Sequence, residues 1–85
     1  MDSLKNFCIN VKNIRIWNGI SLTAMAKTAG MALSTLKRIE QGDLPRGVGI
    51  NQAGRIARHF GCQVYELFEP TYVFENKYKP KLLKR

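Results

Sequence analysis

The stretch LTAMAKTAGMALSTLKRIEQG, residues 22–42, decides how this chain folds. Leu22, Met25, Ala26 and Ala29 recur at the i, i+3, i+4, i+7 spacing that gathers side chains on one face of a helix. Gly30 ends that helix, because a residue without a Cβ accepts the positive φ that a steep turn needs. A second periodic run covers residues 32–41 until Gly42 stops it. Leu36 and Ile39 point inward there, with Leu33, Ser34, Lys37, Arg38 and Gln41 on the other side. Two short helices joined by a glycine turn, the second polar and basic outward, form the bihelical arrangement that places a helix in a DNA groove.

Upstream, residues 4–18 predict a helix whose core stripe is Leu4, Phe7, Val11, Ile14 and Asn18. Ile9 and Ile16 lie almost opposite that stripe, with Trp17 on the flank, so something should cover them: the C-terminal tail or a second copy of the chain. Gly19 ends this helix and Ile20 enters the core. Ser21 then caps the next helix, since its hydroxyl can accept an orphan backbone N–H, and such an exposed helix start is also where a phosphate docks. Ala32 is a poorer cap for the following helix, at a position where Ser, Thr, Asp or Asn is worth about 1 kcal/mol. Glu40 has Lys37 or a neighbouring helix as its partner.

Downstream, residues 42–49, GDLPRGVG, read as a loop. The glycines do not match the dinucleotide fingerprint and no strand precedes them, which leaves Arg46 as a phosphate contact or a solvated arginine. Residues 50–60 predict a fourth helix with Ile50, Ala53, Ile56, Ala57 and Phe60 inward. Gly54 weakens it by about 1 kcal/mol relative to Ala and implies close packing. His59, the one histidine, is expected at the surface near the helix end. Residues 64–69 form a short fifth helix, with Val64, Leu67 and Phe68 closing the core and Pro70 after it.

Residues 71–85, TYVFENKYKPKLLKR, differ in kind and separate as a basic extension from a domain at residues 1–70. Tyr72, Val73 and Phe74 are strand formers, and Pro80 interrupts a run of lysines. The expectation is that residues 72–74 fold back on Ile9, Ile16 and Trp17 while residues 77–85 form a disordered basic arm; pairing as a strand across a dimer is the alternative.

A chain of 85 residues has room for one domain with a modest core. No apolar run approaches a membrane span, and MDSLKNFC lacks a charged leader followed by an apolar block, so a cytoplasmic protein is expected. Cys8 and Cys62 have no metal-type spacing and read as small buried apolar side chains; no metal or other cofactor is expected. The net charge of +8 predicts attraction to polyanions. Residues 71–85 carry five basic and one acidic residue, against nine and five in residues 1–70, so positive charge is densest at the C-terminal end. No carboxylate pair, nucleophile with a base, or metal cluster supports an enzyme.

The order GIS, MAKTAGM, STLKRIEQG, RIARHFGCQVYELF resembles the phage-repressor-like (Xre/Cro) helix-turn-helix family over residues 11–68. The residues that carry the resemblance are Ala26, Gly30, Thr35, Leu36, Ile39, Glu40 and Gly42, then Ile56, Ala57, Phe60, Gly61, Leu67 and Phe68. It implies an all-α fold: a compact five-helix lambda-repressor-like domain, here with a short basic C-terminal tail, dimeric, its third helix in the DNA major groove. On that geometry Leu33, Ser34, Lys37 and Arg38 read base edges. Arg38 can donate two parallel hydrogen bonds to guanine O6 and N7, Lys37 reaches the same acceptors or a phosphate, Ser34 bonds several edges, and Leu33 packs on a thymine methyl. Ser21, Thr23, Lys27, Thr35 and Arg46 are the phosphate contacts that fix its register.

The function implied is a homodimeric transcriptional repressor of double-stranded DNA. An antitoxin of the same fold, with a toxin partner bound through the tail, is one alternative. A protein-interaction module, favoured by Leu22 and Leu33 on the groove-facing side, is another. The chain departs from the family pattern at Ala32 and Gln63, where a Ser cap is common, and at Leu22, where a polar residue would reach DNA.

Overall fold

A computed structural model describes the backbone over residues 3–83 and the side chains over residues 3–79, and all regular structure in it is helical. Helices α1 (Ser3–Asn18), α2 (Leu22–Ala29), α3 (Leu33–Glu40) and α4 (Ile50–Phe60) follow the expected order. A 3-10 turn, Val64–Phe68, stands where a short fifth helix was expected, and the fifth α-helix, α5 (Thr71–Leu83), comes after it. Phe7, Val11 and Ile14 of α1 meet Met25, Ala26 and Ala29 of α2, Leu36 and Ile39 of α3, and Ala53, Ile56 and Ala57 of α4 in one buried core closed by Leu67. The Ser21 hydroxyl accepts the Ala24 N–H at 3.1 Å, as its capping role requires. Ala32 begins α3 with no side-chain cap bond. Gly30 has φ of 68°, a conformation that side chains with a Cβ rarely adopt, so the backbone demands glycine there.

Three expected core details differ. Leu4 and Ile50 are 52% and 69% exposed. Each stands in the first turn of its helix, at the rim of a shallow groove also lined by Phe7, Ala53 and Phe68; periodicity assigns a face, but the rim of that face is open. At Gly54 a Cβ would meet only the end of the Arg58 side chain at 4.0 Å, so no close packing explains that glycine.

The C-terminal segment departs furthest from expectation. It is a helix and not a strand, and the basic arm expected over residues 77–85 is helical through Leu83; residues 84 and 85 lie outside the described residues. Pro70 opens the helix, its carbonyl accepting from the N–H groups of Val73 and Phe74 at 3.0 and 3.1 Å. Burial then overrides the strand propensity of the Tyr-Val-Phe triplet, because a helix brings Phe74 and Tyr78 to one face. Phe74 is 1% exposed, stacks on Trp17 at 6.0 Å and packs against Tyr78 at 4.7 Å.

The same helix is latched at Glu66, a buried carboxylate that the periodicity did not reveal. It accepts the Gln63 N–H at 2.8 Å, Lys77 Nζ at 3.2 Å and the Tyr78 hydroxyl. Burial pushes the Glu66 carboxyl up, but the hydrogen bonds from Tyr78, Gln63 and Lys77, with the Lys77 charge, outweigh it and hold the carboxyl below its ordinary range. Asn10, fully buried on α1, fastens the 3-10 turn that precedes α5: its Nδ2 donates to the carbonyls of Leu67 and Glu69 at 2.9 and 3.0 Å.

Ile9 and Ile16 remain 43% and 50% exposed, so the C-terminal segment covers Trp17 and leaves the two isoleucines open. Helix geometry gives the reason. Asn10 and Trp17 lie within about 20° of each other around α1, and Ile9 and Ile16 are roughly 100° further round. Cys8 is buried and Cys62 half-buried, and the two are not joined in a disulfide. Burial, helped by the Glu66 charge, pushes the Cys62 thiol up to about 11, so it stays protonated at neutral pH. Among the described residues no helix is long and apolar enough to cross a membrane.

Two stability predictions test this arrangement. Phe74→Ala should cost about 3–5 kcal/mol in urea unfolding, whereas Tyr72→Ala, at a position 71% exposed, should change stability by less than about 0.5 kcal/mol. Because the Glu66 carboxyl is depressed in the fold, its contribution is fully present above the unfolded carboxylate pKa, about 4.3, and lost as pH falls below it. Acid titration of Glu66→Gln should therefore show a shallower loss of stability over that window than the parent chain.

Candidate nucleic-acid interface

The pose of α3 is set by its apolar edge and by one ion pair. Leu36 and Ile39 are completely buried, which turns the opposite side of the helix outward. At its C-terminal end Glu40 is gripped by Arg15 of α1, with Nε 2.6 Å from Oε2 and Nη2 2.9 Å from Oε1. Arg15 Nη1 also donates to the Ile20 carbonyl at 3.2 Å. One guanidinium thus ties together α1, the junction into α2, and α3. The Glu40 and Arg15 side chains are only 9% and 20% exposed, so water screens the pair little. Hydrogen bonding to Glu40 raises the Arg15 pKa against the opposing effect of burial. Of the two partners expected for Glu40, the neighbouring helix supplies the one observed.

With α3 held this way, Leu33, Ser34, Lys37 and Arg38 are all exposed. They occupy an arc of about 140° opposite Leu36 and Ile39. Thr35 is half-buried at the flank of this face. Ser21, Thr23 and Lys27 are exposed on α2 and its cap, and Arg46 is exposed in the loop after α3. Ser21 Oγ is already used as the α2 cap acceptor, which leaves its O–H free to donate. Leu22, where a polar residue was expected, is half-buried and packs against the core.

Each described carboxylate is engaged: Glu40 by Arg15, Asp43 by Arg38, Glu66 and Glu69 by Lys77, and Glu75 by Lys79. Lys27, Lys37 and Arg46 form no ion pair among the described residues, so these side chains on α2, α3 and the following loop keep their positive charge unneutralised. Sequence reasoning missed Asp43 and Arg15. The signal for Asp43 was its place immediately after the Gly42 helix stop. Arg15 lies 25 positions from Glu40, beyond the reach of any local pattern.

A model of the Cro/C1-type HTH DNA-binding domain matches residues 10–71 of this sequence. The chain belongs to that family. No curated protein and no solved structure gives a significant match. The Cro/C1-type assignment agrees with the all-helical fold and makes the chain a DNA-binding regulator. The matched span of the Cro/C1-type domain takes in α2, α3, α4 and the 3-10 turn and ends at the first residue of α5.

Removing the carboxylate in Glu40→Ala leaves Arg15 partly buried without its partner. The variant should lose about 3 kcal/mol in denaturant unfolding.

Proposed function

We propose that this chain is a sequence-specific, double-stranded-DNA-binding transcriptional regulator that acts in the cytoplasm as a homodimeric repressor, reading the major groove with α3. The observation that carries this reading is the outward face of α3: in a Cro/C1-type domain, Leu33, Ser34, Lys37 and Arg38 share one exposed arc on a helix whose opposite side is sealed in the core. Arg38 supplies a guanidinium for guanine, Lys37 a cation for guanine or phosphate, Ser34 a hydroxyl for several base edges, and Leu33 an apolar contact for a thymine methyl. Ser21, Thr23, Lys27, Thr35 and Arg46 take phosphates on either side and hold the register. In this reading residues 1–70 carry DNA binding, and residues 71–85 are an extension fastened to them through Phe74 and Glu66.

As a homodimer the protein would set two α3 helices about 34 Å apart, in successive major grooves. The exposed Ile9 and Ile16 on α1 are the surface that a second copy would cover. Occupying an operator excludes other proteins from it, which is sufficient for repression.

Selection from random duplexes tests the whole reading, and a palindromic consensus is the expected outcome. On that site Arg38→Ala should cost about 1–3 kcal/mol and relax discrimination at one base pair; equal loss on random DNA would remove Arg38 from the reading set. Ile16→Asp should shift sedimentation toward monomer without lowering the thermal midpoint of the fold.

A further inference from the structure

Asp43 is joined to Arg38 through both backbone and side chain. At the end of α3 the Gly42 N–H bonds the Ile39 carbonyl at 2.8 Å and the Asp43 N–H bonds the Arg38 carbonyl at 2.9 Å, with Gly42 at φ 87°. This paired closure of a helix end fixes the backbone of Asp43 relative to that of Arg38. The side chains then meet: Arg38 Nε donates to Asp43 Oδ2 at 2.9 Å, and Nη2 lies 2.8 Å from the same oxygen. The two side chains are 55% and 60% exposed, and a pair that open to water adds little stability. Its geometry matters more than its energy.

A guanidinium has two edges that offer parallel N–H groups, one formed by Nε and Nη2 and one by Nη1 and Nη2. Asp43 occupies the first. The second is engaged by no other described residue, and its two parallel donors are those that match guanine O6 and N7. An unrestrained arginine must lose the freedom of several rotatable bonds to present that edge; here much of that freedom is already gone before DNA arrives.

We propose that Asp43 is a positioning residue for DNA specificity: it locks the Arg38 guanidinium by one edge so that the other is presented to a guanine. The proposal rests on Arg38 being a base-reading residue. It has an unusual signature, because Asp43 is an anion close to a polyanionic ligand. Its removal should weaken recognition of the correct sequence while strengthening attachment to any sequence.

The test uses the full chain, the most enriched duplex from the random selection, the same duplex with each G·C pair replaced in turn, and an unrelated duplex. Thermal unfolding should give the same midpoint for parent, Asp43→Ala, Asp43→Asn and Arg38→Ala. Arg38→Ala should abolish discrimination at one G·C pair. Asp43→Ala should reduce discrimination at that same pair roughly tenfold, while binding to the unrelated duplex tightens about two- to threefold. Asp43→Asn, which keeps an acceptor oxygen, should fall between Asp43→Ala and the parent. Discrimination lost in Arg38→Ala but intact in Asp43→Ala overturns the positioning role and leaves Arg38 as a reader. Discrimination intact in both variants overturns the reading of Arg38 and the proposal with it.

Discussion

The Arg15–Glu40 pair is the constraint on which the rest of this molecule depends. A helix of eight residues has little stability of its own and takes its direction from what it is packed against. Leu36 and Ile39 bury one edge of α3, which fixes its rotation about its axis. Apolar contact is non-directional, however, and does not by itself fix tilt. The two-pronged grip of Arg15 on Glu40 supplies the missing direction, and the third bond from Arg15 to the Ile20 carbonyl refers it to the start of α2. The turn at Gly30 completes a closed frame, since α2 and α3 are then joined at one end by backbone and at the other through α1.

How much of this was legible in the sequence follows from the range of the interactions. The periodic apolar positions, the Ser21 cap and the Gly30 and Gly42 stops are local signals, and the four helices they predict between residue 4 and residue 60 are observed to within a residue at each end. Arg15–Glu40, Asn10 with the carbonyls of Leu67 and Glu69, and the Glu66 latch join residues far apart in the chain; periodicity carries no information about them. Tyr72, Val73 and Phe74 were misread because a short run of β-branched and aromatic residues is also what a buried helix contains, and only the partners Trp17, Tyr78 and Glu66 decide between the two. For the candidate interface, the exposure of Leu33, Ser34, Lys37 and Arg38 could be read from spacing. The engagement of Arg38 by Asp43 could not, because it crosses a helix end where side-chain direction no longer follows the 3.6-residue period.

The two arginine–carboxylate pairs at either side of α3 show how burial changes the meaning of one chemistry. Arg15 and Glu40 are largely withdrawn from water and spend their hydrogen bonds on holding elements together. Arg38 and Asp43 stand in solvent, where attraction is weak and the remaining donors stay open to a ligand. The first pair belongs to the architecture of the domain and the second to its exposed surface.

The two ends of α3 are finished differently. Its C-terminal end is closed by backbone bonds through Gly42 and Asp43, while its N-terminal end at Ala32 has no side chain to satisfy the first free N–H groups. The helix is thus closed at one terminus and open at the other. Its first N–H groups, in the turn that carries Leu33 and Ser34, are offered outward to any acceptor, whereas the carbonyls at its far end are already taken up within the chain.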